Sequence, residues 1–280
     1  MDIQSIIEQA LSEDIGSGDI TTGATVPAGK EGKAVILARE EGIISGLDIA
    51  RQIFLHADAA LRMELKVSEG NRVFPNTELM HISGQLASIL QAERVALNFL
   101  GRLSGISTQT AKFVAAVEGT GCNILDTRKT TPLLRELEKY AVRVGGGMNH
   151  RMGLYDMYLV KENHIAAAGG IEDALKKVFA YRQGKSNNAP VEIEVRNFEE
   201  LRKALNFPVE RILLDNMSVK EIAEAVKICA GKAQLEVSGG INLENVRRYA
   251  LTGVDFISVG KLTHSAASLD VSLLVVGENN

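Results

Sequence analysis

Short apolar runs alternate with amphipathic segments from about residue 104 to residue 268. Six runs have the length and composition of strands, and the segments between them repeat apolar positions at helical spacing. The predicted strands are 123–126, 157–161, 191–195, 211–215, 234–237 and 256–259. Such alternation predicts parallel strands joined by right-handed crossovers. With six or seven strands and no second half, the pattern favours an open (incomplete) β/α barrel over a doubly wound sheet.

The first 103 residues have a mixed pattern of helix-like and strand-like segments. Gly, Asn and Pro residues separate the short strand-like runs and mark them as ending in turns. The predicted elements are a helix at 2–13, strands at 33–39, 61–67 and 79–82, and a helix at 88–103. A further helix, predicted at 106–117, opens the alternating part of the chain. We therefore expect a mixed α and β domain before the barrel.

Capping residues mark two of the predicted helix starts. Ser88 and Gln91 form a capping-box pattern at the start of the helix that ends the first domain. In the barrel domain, Thr131 is a candidate N-cap and Pro132 suits the first helical position. The second helix is predicted to run to about Val144.

Each predicted barrel strand ends in polar residues or a glycine turn. The C-terminal ends of strands form the active site in β/α barrels. A single such residue is more often a helix cap or a surface charge, but six strand ends in a row make that explanation poor. Because the chain is acidic overall, a cluster of cations predicts an anion site. The candidate cations are Arg128, Lys129, His150, Arg151 and Lys161.

Two glycine turns follow late strands and precede helices. They are Ser238-Gly239-Gly240 and Val259-Gly260-Lys261. Backbone N–H groups in such turns point at a ligand and the helix dipole favours negative charge, so we expect phosphate binding. The carboxylates of Glu194 and Asp215 lie on strands beside this basic site. They suit ribose hydroxyls, a Mg²⁺ shell or a cationic transition state.

Composition argues against several functional classes. The net charge of −4 disfavours a broad nucleic-acid surface, and two cysteines cannot build a disulfide framework or a four-cysteine site. The five histidines lack metalloprotease or zinc-finger spacing, so we predict no zinc. No apolar run approaches the roughly 18 residues of a membrane span. The first basic residue is Lys30, so we expect no signal or transit peptide and a cytoplasmic protein.

Eight stretches, in a fixed order and spacing, are typical of one enzyme family. They are EDIGSGDITT (13–22), ERVALNFLGRLSGIS (93–107), DTRKTTP (126–132), GGGMNHRMGLYDMYLVKENH (145–164), VEIEV (191–195), LLDNM (213–217), EVSGGI (236–241) and ISVGKLTHS (257–265). The chain resembles quinolinate phosphoribosyltransferase (nicotinate-nucleotide diphosphorylase, carboxylating). This resemblance implies a pentosyltransferase of NAD biosynthesis. The family uses Mg²⁺ to make nicotinate mononucleotide, diphosphate and CO₂ from quinolinate and 5-phosphoribosyl diphosphate.

The resemblance also implies roles for individual residues. The quinolinate carboxylates would meet Arg94, Arg128, His150, Arg151 and Lys161. The phosphoribosyl donor would meet Lys129, Glu194, Asp215, Ser238, Gly239, Gly240, Gly260 and His264. The catalytic set would be Lys129, Lys161, Glu194 and Asp215, with Mg²⁺ held by the donor diphosphate and Glu194 and Asp215 as candidate protein ligands.

The family fold implied by the resemblance has two domains and two copies. An N-terminal α/β sandwich over 1–103, completed by a C-terminal tail at about 269–280, precedes an open β/α barrel over 104–268. The resemblance implies a homodimer in which Arg94 reaches the neighbouring site. No strand end places Arg94 in the site of its own chain. Assembly beyond the dimer stays open.

Three alternatives remain at this point. One is a phosphoribosyltransferase of the same fold with another acceptor, although the set of arginines favours a dicarboxylate. Another is a Schiff-base aldolase with Lys161 as its nucleophile. The third is a phosphate-sensing barrel without catalysis, which the density of charged strand ends disfavours.

Overall fold

The computed structural model describes residues 2–185 and 188–277, which fold into strands and helices of two compact units. The strands are β1 (Glu31–Ala38), β2 (Gly42–Ile43), β3 (Arg62–Leu65), β4 (Arg72–Val73), β5 (Glu78–Gln85), β6 (Asn123–Leu125), β7 (Tyr158–Val160), β8 (Val191–Val195), β9 (Arg211–Asp215), β10 (Gln234–Ser238), β11 (Phe256–Ser258) and β12 (Val271–Val276). The helices are α1 (Ile3–Ile15), α2 (Ile20–Thr25), α3 (Leu47–Ala57), α4 (Leu86–Ala116), α5 (Arg135–Val144), α6 (Glu162–Ala168), α7 (Ile171–Gly184), α8 (Phe198–Ala204), α9 (Val219–Cys229), α10 (Val246–Ala250) and α11 (Lys261–His264). Within these described residues, every helix falls short of the length and apolar character needed to cross a membrane.

The first unit is built on a four-stranded antiparallel sheet with the strand order β12-β1-β5-β3. It comprises the described parts of Met1–Gln109, Tyr140–Gly145 and Ala266–Asn280. Strand β12 pairs with β1 from Ala38 opposite Val271 to Lys33 opposite Val276, so a late segment of the chain completes this sheet. Residues 278–280 of the predicted tail, like residues 1 and 186–187, lie outside the described part of the chain.

One long helix, α4, replaces the two helices predicted at 88–103 and 106–117. The predicted start at Ser88 is wrong, since the Ser88 hydroxyl lies inside the helix and donates to Asp58 Oδ2 at 3.1 Å. Glycine inside a helix costs about 1 kcal/mol relative to alanine. Here a Cβ on Gly105 would lie 1.9 Å from the carbonyl oxygen of Ala267. The main chain at Ala267 therefore packs so closely against α4 that only glycine fits at position 105, and the helix continues through this glycine.

The helix predicted to start at Pro132, with Thr131 as its N-cap, begins three residues later, at Arg135 in α5. Leu133 has φ of 67°, a left-handed conformation that a helix cannot include. The Thr131 hydroxyl and N–H donate to the carboxylate of Glu138, at 2.7 and 3.1 Å. Because the N–H and hydroxyl of Thr131 both donate to Glu138, Thr131 stabilises the loop before α5 and does not cap the helix.

The second unit contains a six-stranded parallel sheet with the order β6-β11-β10-β9-β8-β7. It covers Thr110–Lys139 and the described part of Gly146–Ser265. Among the described residues, the two edge strands β6 and β7 are not paired with each other. The barrel is therefore open, and the predicted fold class is confirmed.

Strand β8 shows how the barrel combines an apolar exterior with a charged interior. All five residues of VEIEV are buried. Successive side chains of a strand point to opposite faces, so Val191, Ile193 and Val195 share one face while Glu192 and Glu194 share the other. The glutamates thus belong to the face that also carries Asp215 and Ser238 on the neighbouring strands.

Candidate active site

A cavity of about 590 Å³ opens at the C-terminal ends of the barrel strands. Its lining contains all the predicted site residues except one. These are Arg128, Lys129, His150, Arg151, Lys161, Glu194, Asp215, Ser238, Gly239, Gly240, Gly260 and His264. The exception, Arg94, lies on α4 in the first unit, where its side chain is 64% exposed. The structure thus brings cations, carboxylates and glycine turns together within one unit.

The two glycine turns lie where side chains approach the backbone closely. Gly239 has φ of 96°, and a Cβ there would lie 2.1 Å from Asn216 Oδ1, so only glycine fits. A Cβ on Gly260 would lie 3.1 Å from Lys129 Cδ and 3.2 Å from His264 Nε2. Lys129 and His264 therefore flank the second turn, as a cationic phosphate site requires.

The two cavity carboxylates are held differently. Glu194 Oε2 lies 3.2 Å from the Lys161 ammonium. Asp215 accepts hydrogen bonds from the Ser238 hydroxyl at 2.9 Å and from the side-chain amide of Asn216 at 2.8 Å. Both oxygens of Asp215 are thereby oriented from neighbouring strand ends, and each keeps a lone pair for a further donor or a cation.

Arg151 presents a guanidinium to the cavity with part of its hydrogen-bonding capacity unused. Its Nη1 donates to the carbonyl of Met157 at 3.2 Å, which fixes one end of the group. Among the described residues, no acceptor is bonded to its buried Nε atom. Burial and the neighbouring charge of Arg128 lower the pKa of Arg151. Two adjacent guanidiniums with an unpaired donor favour binding of a carboxylate.

A fully buried ion pair holds the backbone that carries His150 and Arg151. Lys139 on α5 donates to Asp126 and, at 2.9 Å, to the carbonyl of His150. Asp126 also accepts from the His150 N–H at 2.9 Å and from the amide of Asn149. Asp126 and Lys139 are 0% exposed, so we expect them to act as a scaffold for the cavity wall. The sequence reasoning missed this role.

Two buried glutamates, of which Glu236 also lines the cavity, were missed as well. Glu192 Oε2 lies 3.0 Å from His150 Nε2, and Glu236 Oε2 accepts from the Arg211 guanidinium at 2.9 Å. Burial raises the pKa of Glu192 to about 7, and burial with repulsion from Glu192 raises the pKa of Glu236 to about 7. The signal that could have found them was the two-residue period, which aligns Glu192 with Glu194 and Glu236 with Ser238.

These raised pKa values predict a pH-dependent effect of Glu192→Gln. Because the folded pKa of about 7 exceeds the ordinary 4.5, the folded protein holds more protons between these values, so rising pH removes stability in that window. Glutamine does not titrate, so the variant does not lose this stability as the pH rises. The stability of the variant relative to wild type should therefore increase from pH 5 to pH 8 by about 1–3 kcal/mol, measured by urea unfolding. A difference that does not change with pH, as expected for the exposed control Glu244→Gln, would contradict the prediction.

Comparison with known proteins relates the chain to one enzyme family. Family models described as the N- and C-terminal domains of quinolinate phosphoribosyl transferase match residues 19–104 and 106–274. A nicotinate-nucleotide pyrophosphorylase [carboxylating] of Mycobacterium leprae is 45% identical, over 95% of each chain. A mitochondrial quinolinate phosphoribosyltransferase [decarboxylating] of Nicotiana tabacum is 42% identical, over 98% of this chain and 82% of its own.

Solved structures show the same relationship. The nicotinate-nucleotide pyrophosphorylase of Francisella tularensis superposes with a TM-score of 0.93 at 41% identity, covering 98% of this chain and 96% of its own. Human nicotinic acid phosphoribosyltransferase shares the fold, with a TM-score of 0.64 at 14% identity, covering 99% of this chain and 74% of its own. With two family models covering most of its length and relatives above 40% identity, the chain belongs to the quinolinate phosphoribosyltransferase family.

Proposed function

We propose that this chain transfers the phosphoribosyl group of 5-phosphoribosyl diphosphate to quinolinate, with loss of CO₂, to form nicotinate mononucleotide and diphosphate. The observation that carries this proposal is the shared cavity, in which guanidiniums, carboxylates and glycine turns line one space. An acceptor with two carboxylates requires converging cations, and a donor with phosphates requires N–H-rich turns. Membership of the family supplies the identity of both substrates.

The cations suit the acceptor. Arg128 and Arg151 can each match a planar carboxylate with two parallel hydrogen bonds, and Lys161 adds a point charge. Holding quinolinate in this way orients its ring nitrogen towards the ribose carbon that loses diphosphate. Such orientation converts an encounter of two substrates into a reaction within one complex.

The carboxylates suit the donor. As diphosphate leaves the ribose, positive charge develops on the ring, and fixed carboxylates such as Glu194 and Asp215 stabilise it. The bond from ribose to the pyridine nitrogen then makes that nitrogen cationic. The electrons released when CO₂ departs from the ring are drawn towards this charge, and a proton takes the place of CO₂.

Mg²⁺ is the expected cofactor, and the donor set fits it. Mg²⁺ prefers oxygen ligands, usually one or two carboxylates together with substrate phosphates. Glu194 and Asp215 provide carboxylate oxygens at the cavity, beside the predicted phosphate turns. When bound, Mg²⁺ would neutralise charge on the leaving diphosphate. The two carboxylates would hold it while they also orient the ribose.

Turnover with defined substrates tests the function. With quinolinate, 5-phosphoribosyl diphosphate and Mg²⁺, we expect nicotinate mononucleotide, CO₂ and diphosphate in equal amounts. Nicotinate in place of quinolinate tests the related enzymes with another acceptor, and efficient use of nicotinate would favour them. Absence of both nucleotide and CO₂ with quinolinate would overturn the proposal.

The aldolase alternative is disfavoured by one contact. A Schiff-base nucleophile must be free to attack a carbonyl carbon, whereas Lys161 Nζ is engaged by the carboxylate of Glu194 at 3.2 Å. Borohydride treatment with carbonyl substrates should leave no adduct on Lys161. A covalent adduct at that residue would support the aldolase function.

Arg151→Lys should weaken quinolinate binding by about 1.5–3 kcal/mol, the scale of a charge-assisted hydrogen bond. Lysine keeps the charge but loses the planar fork that matches a carboxylate. Calorimetric titration with quinolinate measures the change, with the exposed Arg248→Lys as the matched control. If Arg151→Lys binds as tightly as the control, Arg151 has only a structural role.

We also propose that the active assembly is a homodimer and that Arg94 serves the site of the neighbouring subunit. Arg94 is in the first unit, while the cavity is lined by the second. Its guanidinium lies 4.0 Å from the adjacent Glu93 and is mostly exposed, so its charge is available to a ligand. The cytoplasmic location stays a prediction, because one named relative is mitochondrial and another chloroplastic.

Mixing two inactive variants tests the shared site. If Arg94→Ala and Lys161→Ala subunits pair at random, half the dimers are mixed, and one site of each mixed dimer has both residues. Activity should therefore recover to about a quarter of the wild-type value. If Arg94 acted within its own chain, every site would lack one residue. No recovery, once subunit exchange is verified by mass, would refute the shared site.

A further inference from the structure

Both ring nitrogens of His150 are engaged by the protein itself. Nδ1 accepts a hydrogen bond from the backbone N–H of Arg151 at 2.7 Å. A nitrogen that accepts from an N–H carries no proton, so the neutral ring holds its proton on Nε2. The contact therefore defines the tautomer and ties the ring to the backbone of the residue that presents its guanidinium to the cavity.

The protonated nitrogen faces two buried carboxyl groups. His150 Nε2 lies 3.0 Å from Glu192 Oε2 and 3.5 Å from Glu236 Oε2, and both glutamates are 0% exposed. Within the described residues, neither oxygen of Glu192 has a hydrogen-bond partner, so its contact with His150 is one of proximity. Two carboxyl groups at 3.0 and 3.5 Å from Nε2 favour a proton on that nitrogen.

We infer that Glu192 and Glu236 are positioning residues that hold His150 as the Nε2-protonated tautomer and, through the Arg151 N–H, fix the backbone of Arg151 at the cavity. This inference rests on the proposed function in assigning quinolinate as the anion at Arg151. The positive charge opposite quinolinate then comes from Arg128, Arg151 and Lys161, and not from an imidazolium. His150 is accordingly a structural link beneath the acceptor, and its ring remains neutral when quinolinate binds.

The same three side chains have the spacing of a metal site, with ligand atoms within 4.8 Å of one another. Cations of the protein already neutralise this cluster. Arg211 donates to Glu236 at 2.9 Å, and the positive charge of Arg151 acts on Glu192. A divalent ion would add charge beside two guanidiniums, which is unfavourable. We therefore assign the carboxyl groups to His150.

Nitrogen NMR of the wild-type protein tests the tautomer directly. Protein labelled with ¹⁵N-histidine is compared at pH 7.5 with and without quinolinate, and the His150 signals are identified by their loss in His150→Gln. We expect a protonated Nε2 and an unprotonated Nδ1 in both samples. A doubly protonated ring with quinolinate, or a proton on Nδ1, would overturn the inference. This result does not require turnover, so it stands apart from any failure of the proposed reaction.

Kinetics of two substitutions separate positioning from charge. Glu192→Leu removes the polar group beside His150 Nε2 and should raise the KM for quinolinate about 10-fold or more, with the KM for 5-phosphoribosyl diphosphate changed less than about 2-fold. Glu192→Gln keeps a polar oxygen beside Nε2 and should avoid most of this loss. Equal losses in both variants would mean that the negative charge itself is needed and would overturn the inference, as would parallel changes in both KM values.

Elemental analysis of the purified protein completes the test, with the exposed Glu224→Gln as the matched control. We expect no stoichiometric transition metal in the wild type. One equivalent of metal that is retained by Glu224→Gln but lost in both Glu192 variants would assign the cluster to a metal site instead. Circular dichroism of each variant verifies that it is folded before its constants are compared.

Discussion

Lys139→Met is expected to lower the free energy of unfolding by about 3–5 kcal/mol, the range for breaking a buried ion pair from one side. Lys139 and Asp126 are both fully buried, so methionine leaves the Asp126 carboxylate without its main counter-charge. The lysine also donates to the carbonyl of His150, and this contact is lost as well. Urea unfolding monitored by circular dichroism measures the change.

The control for this prediction is an exposed ion pair. Lys203→Met removes the partner of Glu199 on the surface of α8, and exposed pairs of this kind contribute about 0–1 kcal/mol. A loss below about 1 kcal/mol in Lys139→Met would mean that Asp126 takes up a proton at little cost. The scaffold would then depend on hydrogen bonds and not on charge.

Glu194→Gln and Asp215→Asn are each expected to lower kcat by about 10- to 1000-fold, the range for losing one electrostatic contact with the transition state. Both side chains line the cavity at strand ends, and both substitutions keep size and hydrogen-bonding shape. What they remove is negative charge that we propose acts near the ribose as diphosphate leaves. Quinolinate affinity should change little, because the groups proposed to hold the acceptor are cations.

Steady-state kinetics and quinolinate titration together check the second prediction. The exposed Glu244→Gln provides a control that changes the same functional group outside the cavity. If quinolinate binding collapses in Glu194→Gln while kcat survives, the carboxylate belongs to the acceptor site. Its role would then be to position Lys161 for the acceptor through their contact at 3.2 Å.

Elements that local pattern alone determines were predicted closely. Strands β8 and β9 occupy the predicted 191–195 and 211–215. Helix α9 fills the predicted helical segment after β9, where Ser218 and Glu221 form a capping box. In each case the apolar period and the flanking turn agree. Where the apolar period and the flanking turn indicate the same element, its bounds can be predicted from the sequence.

Elements that depend on distant contacts were predicted less well. The continuity of α4 through Gly105 depends on main chain near residue 267, and the late start of α5 depends on the conformation of Leu133. Neither is visible in a local window. Helix α3 was missed altogether, since its N-terminus is capped from outside by Glu69, whose carboxylate accepts from the N–H of Leu47 and that of Gly46.

The cavity residues were predicted because strand ends expose their chemistry in the sequence. The supports beneath them were not, because Asp126, Glu192 and Glu236 appear in the sequence as ordinary charges until burial is known. Lys139 was the hardest to recognise, since it lies in a charge-rich helix in which Glu136 and Arg143 are exposed while Glu138 is also buried. Charge alone does not distinguish a surface residue from a buried support.

The pairing of β1 with β12 has a consequence for the order of folding during synthesis. Strand β1 is central in its sheet, yet one of its two neighbours is made only when residues 271–276 appear. Until then its edge remains open and able to pair with other chains. The parallel sheet needs only residues 123–258. It can therefore form during synthesis before β12 is available to complete the antiparallel sheet, whose first strand is made earlier.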